Sequence, residues 1–145
     1  MKPITIREYL DIDKESCRKI LYSVQMNDFD WVDKLKVHLN DFDYITEGEK
    51  VFVACIDEEV VAFASIWETD YFLHSLYIDQ DYRNRGIGKA LIHYLLNYYN
   101  HPMTLKCVKE NTKALSFYLS LGWVIYKEEL GSDGPYYLIG SNSIK

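Results

Sequence analysis

The residues best suited to chemistry lie together in Arg83-Asn84-Arg85-Gly86-Ile87-Gly88-Lys89, between the strand-like run ending at Ile78 and a helical pattern beginning at Ile87. A strand that turns tightly into a helix leaves backbone N–H groups free at the helix start. Together with the positive end of the helix dipole, these form an anion site suited to a pyrophosphate. Gly86 and Gly88 lack Cβ atoms where backbone must approach a ligand closely, and Asn84 tolerates a left-handed conformation. The chain has four arginines, and Arg83 and Arg85 are two of them. With Lys89 they concentrate positive charge in one turn of an acidic protein. The plain structural alternative is a strand–helix connection that uses glycine only for packing.

Two other phosphate loops do not fit. There is no G-x-x-x-x-G-K-[ST] pattern, and the dinucleotide fingerprint would need its first glycine at position 83, which is Arg83.

The spacing Arg83-x-x-Gly86-x-Gly88 resembles the acyl-CoA signature Q/R-x-x-G-x-G/A of the GNAT (Gcn5-related N-acetyltransferase) superfamily. Leu76-Tyr77-Ile78-Asp79 resembles the strand that leads into it, with Gln80 in place of the usual proline and Asn84 in place of a frequent glycine. Downstream, Asn111-x-x-Ala114-x-x-Phe117-Tyr118-x-x-x-Gly122-Trp123 is similar to the second signature, N-x-x-A-x-x-F-Y-x-x-x-G-F, with Trp for the last Phe. The resemblance covers residues 50 to 140 well and the N-terminal third in outline. It implies acetyl-CoA as acyl donor, no metal, and direct transfer to a primary amine of a small molecule or protein in a ternary complex.

Carried over residue by residue, the resemblance implies that the main chain of Leu76 and Ile78 pairs with the pantetheine arm. The amides from Arg83 through Asn84, Arg85, Gly86, Ile87 and Gly88 to Lys89 hold the pyrophosphate. Asn111 touches the cofactor arm and Tyr118 meets the thioester sulfur. Seven positions on one helix put Asn111 and Tyr118 on one side, about 10 Å apart. A phenol of reference pKa about 10 can protonate a departing thiolate, so Tyr118 is the expected acid. An alkylammonium must first lose a proton. His74 is the expected acceptor, with Glu68 and Asp70 as alternatives and a water chain as another.

The elements that must position these residues read as β-α-α-β-β-β-α-β-α-β-β. Strands are expected over 4–7, 51–56, 60–67, 72–78, 103–108, 123–126 and 136–139. The spacing of Cys17, Ile20, Leu21 and Val24 predicts a helix over 13–25, and Trp31, Leu35 and Leu39 predict a second to about Asn40. Leu91, Tyr94, Leu95 and Tyr98 mark a third helix to about Asn100. Ala114, Phe117, Tyr118 and Leu121 mark a fourth, which Gly122 closes. The fold class is α/β (α+β), one domain over residues 1–145. The resemblance makes its sheet mixed and mainly antiparallel, with the fourth and fifth strands splayed. The N-terminal helices (Met26, Phe29, Trp31) and the Gly131 to Tyr137 loop are expected to line the acceptor pocket.

Composition agrees with a globular protein, with 48% hydrophobic and 26% charged residues in 145. A net charge of −6 disfavours nucleic acid and suits a cationic amine. No run of about 18 apolar residues predicts a membrane span, and the first residues carry no signal-peptide pattern, so a cytoplasmic location is expected. A homodimer is compatible with this reading. Cys17, Cys55 and Cys107 are scattered without metal-ligand spacing and read as reduced, buried thiols. The rival functions are a non-catalytic CoA-binding or interaction module of the same fold, and a nucleotide-binding domain.

Overall fold

A computed structural model describes residues 2–141; Met1 and residues 142–145 of the expected domain lie outside them. Seven strands form one sheet in the order β1-β2-β3-β4-β5-β7-β6. They are β1 (Thr5–Glu8), β2 (Lys50–Ile56), β3 (Glu59–Trp67), β4 (Phe72–Ile78), β5 (Thr104–Val108), β6 (Val124–Gly131) and β7 (Gly134–Gly140). All neighbours are antiparallel except β4 and β5. Among the described residues four α-helices complete the fold: α1 (Lys14–Asp28), α2 (Asp41–Ile45), α3 (Ile87–Tyr99) and α4 (Thr112–Ser120).

The sheet carries a core on each face, which is why β2 and β3 read as nearly continuous apolar runs rather than alternating ones. On one face Val53, Cys55 and Phe63 pack against Cys17, Ile20, Leu21 and Val24 of α1 and Phe42 of α2. On the other, Phe52, Ala64 and Ile66 pack with Ile87, Leu91, Ile92 and Leu95 of α3 and Tyr118 of α4. The buried face of α3 therefore turns on Ile87 and Ile92, while Tyr98 at its edge is exposed.

The β2–β3 hairpin turns on Asp57 and Glu58, both with positive φ, the geometry of a type I′ turn. The last hairpin is tighter than the loop expected between strands at 123–126 and 136–139: pairing runs out to Gly131↔Gly134, leaving Ser132 and Asp133 as the turn. Cross-strand hydrogen bonds there satisfy backbone groups that a loop would leave to water.

The second expected helix is not at 31–40. That stretch is a loop with a single 3-10 turn at Lys34–Lys36, and the short helix follows at Asp41–Ile45. Asp33 caps the turn by accepting from Leu35 N–H, and Lys34 Nζ donates to the carbonyls of Gln25 and Phe29 at 2.7 and 2.5 Å. Leu35 is 90% exposed, so the apolar spacing had no core to bury into. Phe42 supplies that contact instead, edge-on to Phe63 at 5.1 Å.

Candidate active site

The parallel pairing of β4 with β5 is confined, among the described residues, to Phe72↔Thr104. Beyond it β5 pairs with β7 on its far side, so the two strands diverge and the β5-facing edge of β4 past His74 is unpaired. Unpaired main-chain groups at such an edge are a ready partner for an extended polar chain. The divergence opens a cleft of about 790 Å³ bounded by the end of α1, β4, the start of α3 and the start of α4.

At one end lies the glycine turn. Asn84 and Gly86 both take left-handed conformations, φ 61° and 78°, and Gly86 is the residue before the first turn of α3. The first helical bond from this turn is Ala90 N–H to the Gly86 carbonyl at 3.0 Å. The amides of Ile87, Gly88 and Lys89, residues that line the cleft, are thus left without intrahelical partners. Gly88 has a different role from Gly86. A Cβ there would come 3.0 Å from Ile78 Cδ1 and 3.2 Å from Phe117 Cζ, so its hydrogen lets α3 close against β4 and α4.

Neither arginine simply points at this anion site. Arg83 lines the cleft but forms an ion pair with Asp28 at the end of α1. Arg85 lies outside the lining, 5.0 Å over the Tyr82 ring, and donates to the Asp81 carbonyl. Gln80 carries a second link to α1. Its Oε1 accepts from Ser23 Oγ at 2.7 Å and from Asn27 Nδ2 at 3.3 Å, and its Nε2 donates to Asp28 Oδ1 at 2.9 Å. The turn that would hold the anion is therefore tied by side chains to α1 across the cleft mouth.

At the other end lies Tyr118, 7% exposed and packed on Trp123 and Phe117. Burial raises its phenol pKa well above the ordinary value, so the hydroxyl keeps its proton at neutral pH. Asn111 is the N-cap of α4 rather than part of its helix; its side-chain oxygen accepts from Ala114 N–H at 3.2 Å. Its side-chain N–H groups are the part left to meet a ligand. Leu76, Ile78, Arg83, Asn84, Gly86, Ile87, Gly88, Lys89, Asn111 and Tyr118 all line this one cleft.

His74 does not line it. It occupies a bulge in β4 between the pairs Ser65↔Ser75 and Ile66↔Leu73, and its Nδ1 lies 2.7 Å from Glu49 Oε2. Glu68 accepts a hydrogen bond from Tyr99 of α3 at 2.7 Å. Glu49 escaped the sequence reading because it sits in an ordinary polar turn, Glu47-Gly48-Glu49-Lys50; only the bulge brings it to His74.

A second cavity of about 510 Å³ adjoins the first and shares Trp31 and Glu110 with it. It is bounded by the α1–α2 loop and by Ser132 and Asp133 of the β6–β7 turn. Trp31 is stacked on Phe29 at 4.5 Å, Phe29 lies 5.9 Å from Tyr77, and Tyr77 stacks on Phe63 at 5.5 Å. This column fixes the wall between the cavities to the core. Met26 is not part of the lining of either. The three cysteines are free and buried, and burial pushes the Cys107 thiol up to about 11, so none is a ready nucleophile.

One cleft thus gathers a diverging parallel strand pair, a glycine turn before a helix and a buried tyrosine. The profile of the Acetyltransferase (GNAT) family matches residues 13–123, and the chain belongs to that family. A curated relative, the 5-NmdU N-acetyltransferase of Pseudomonas phage PaMx11, is 33% identical over 89 residues, 61% of this chain and 59% of that protein. Among solved structures, yncA from Salmonella typhimurium with its cofactor acetyl-CoA has a TM-score of 0.72 at 17% identity, over 94% of this chain and 92% of that one. A GCN5-related N-acetyltransferase from Rhodopseudomonas palustris reaches 0.78 at 19% identity, over 97% and 96%. These likenesses show the fold.

Proposed function

We propose that this protein transfers the acetyl group of acetyl-CoA to a primary amine by direct attack in a ternary complex. The observation that carries the reading is the single cleft that joins the free amides of Ile87 to Lys89 to the buried Tyr118 hydroxyl along an unpaired strand edge. An acyl-CoA needs an anion site for its pyrophosphate, a polar strand edge for its pantetheine amides and a proton donor for its thioester. The phage relative's name as an N-acetyltransferase supports the same reading.

On this reading the Gly86 turn and the amides of α3 hold the pyrophosphate, with Lys89 adding charge. The β4 edge at Leu76 and Ile78 pairs with the pantetheine amides, and the Asn111 amide steadies the arm. The acceptor, on a small molecule or a protein, enters through the cavity between the α1–α2 loop and the β6–β7 turn. That cavity carries Asp33, Asp41, Glu110 and Asp133 against Lys36, which suits a cation.

His74, which stands outside the lining of both cavities, takes one proton from the ammonium through a water relay. The neutral nitrogen attacks the thioester carbonyl, the C–N bond forms and the C–S bond breaks. Tyr118 gives its proton to the departing sulfur and regains one from the nitrogen as the amide forms. One proton, on His74, remains to be released to solvent, which balances the conversion of ammonium and thioester to amide and thiol.

The test is thiol release from acetyl-CoA across a panel of diamines, amino acids, aminonucleosides and peptides. Dependence on both acetyl-CoA and one amine is expected. Stabilisation by CoA without thiol release from any amine would leave a binding module of the same fold. Stabilisation by NAD or ATP and not by CoA would remove the cofactor assignment.

A further inference from the structure

Glu49 stands immediately before β2, and its side chain is only 9% exposed. A carboxylate so far from water is costly unless it is paired. One oxygen, Oε2, lies 2.7 Å from His74 Nδ1. The other, Oε1, is buried and has no hydrogen-bond partner among the described residues. A purely structural ion pair gains from saturating both oxygens; here one strong contact is kept to a single imidazole.

The strand pairing explains how the two meet. Residues directly opposite share a face of the sheet, and alternate residues return to it. Val51↔Ser65 and Phe63↔Tyr77 lie on the face covered by α1, and Glu49 precedes Val51 by two. The β4 bulge inserts His74 as an extra residue between Leu73 and Ser75, which re-aims its ring. Ser65, whose buried Oγ also lacks a partner among the described residues, sits beside Ser75 on the same face. His74 is two residues from Leu76 of the cleft and keeps 42% of its side chain exposed. One nitrogen of its ring is thus engaged by a buried carboxylate while the ring remains open to solvent.

We infer that Glu49 is the positioning residue for His74. An ionised carboxylate can only accept, so Nδ1 must carry the proton, and Nε2 is left as a lone-pair acceptor for the ammonium proton relayed by water. When Nε2 takes that proton, the ring becomes an imidazolium beside a carboxylate that stabilises it. The assignment rests on the acetyl-transfer reading above and names the device that sets its base.

The test is Glu49→Gln, which keeps size and shape but removes the charge and the obligation on Nδ1. The expected result is a fall in kcat of about tenfold or more, with KM for acetyl-CoA and its stabilising effect unchanged within about twofold. Glu49→Gln should add nothing further in a His74→Asn background. In the unmodified protein, ¹⁵N imidazole shifts should place the His74 proton on Nδ1, with His74→Asn assigning the signal among the four histidines. That spectrum stands whether or not the variant folds. An Nε2–H tautomer, full kcat in Glu49→Gln, or an equal loss in the His74→Asn background would each overturn the role. Absence of thiol release by the unmodified enzyme with every amine would instead defeat the acetyl-transfer reading, and the tautomer would still decide whether Glu49 holds the ring.

Discussion

Tyr118 shows how burial and chemistry act on one side chain. Its ring packs on Trp123 at 5.4 Å, and the residue lines the same cleft as the glycine turn. Tyr118→Phe keeps the ring and removes only the oxygen, so packing changes little. Turnover at saturating acetyl-CoA is expected to fall by about 10²-fold, the scale of a positioned acid. Acetyl-CoA affinity, measured by calorimetry, should hold. Retention of more than about half the turnover, with chemistry rate-limiting, would remove Tyr118 from the reaction. Both motifs were legible at this scale because they recur as local spacing. Arg83 was not: its partner Asp28 lies 55 positions earlier in the chain, and nothing local ties the two together.

Among the elements, β4, α3 and α4 meet closely at Gly88. At Gly88 a bare Cβ would already press on Ile78 and Phe117, and a branched side chain adds two methyl groups to that contact. Gly88→Val is expected to cost about 2 kcal/mol, the range for overpacking a filled site, read as a lowered urea midpoint with an unchanged slope. A midpoint equal to that of the parent would mean that α3 can shift away from β4 at no cost. The same junction explains why the 83–89 turn was readable while 31–40 was misread as a helix. At the turn, the glycines impose their own conformation. Between residues 31 and 40 the apolar spacing was a pattern without a partner surface, and Lys34 and Asp33 closed a loop instead.

Across the whole molecule, Arg7 and Asp13 join β1 to the start of α1. Arg7 donates to both carboxylate oxygens at 2.8 and 2.9 Å, and Leu10 N–H donates to one of them at 2.8 Å. Hydrogen bonds from Arg7 hold the Asp13 carboxyl below the usual range, against the opposing effect of burial, with Leu10 adding to them. The ionised form is therefore favoured in the folded state. Its contribution is complete above the unfolded pKa of about 3.9 and is lost as pH falls through the lower folded value. Asp13→Asn should lower stability at pH 7 by about 2 kcal/mol, and the gap in Tm from the parent should close as pH falls below about 4. A gap equally wide at pH 7 and pH 2.5 would show that the pair contributes through shape and not through charge.

What the amino-acid sequence determined alone were the features that depend on neighbours along the chain: the two signatures, the helix faces of α1 and α4, and the strand runs. Those are set by turn conformation, helix period and alternation, which act over a few residues. The tertiary structure decided what depends on residues far apart. It directed Arg83 to Asp28 and Gln80 to α1, turned Asn111 into a cap, and closed Ser132–Asp133 as a two-residue turn. It also brought Glu49 to His74 through one extra residue in β4. Register between strands and the burial of a charge are properties of the assembled sheet, and no short window of sequence contains them.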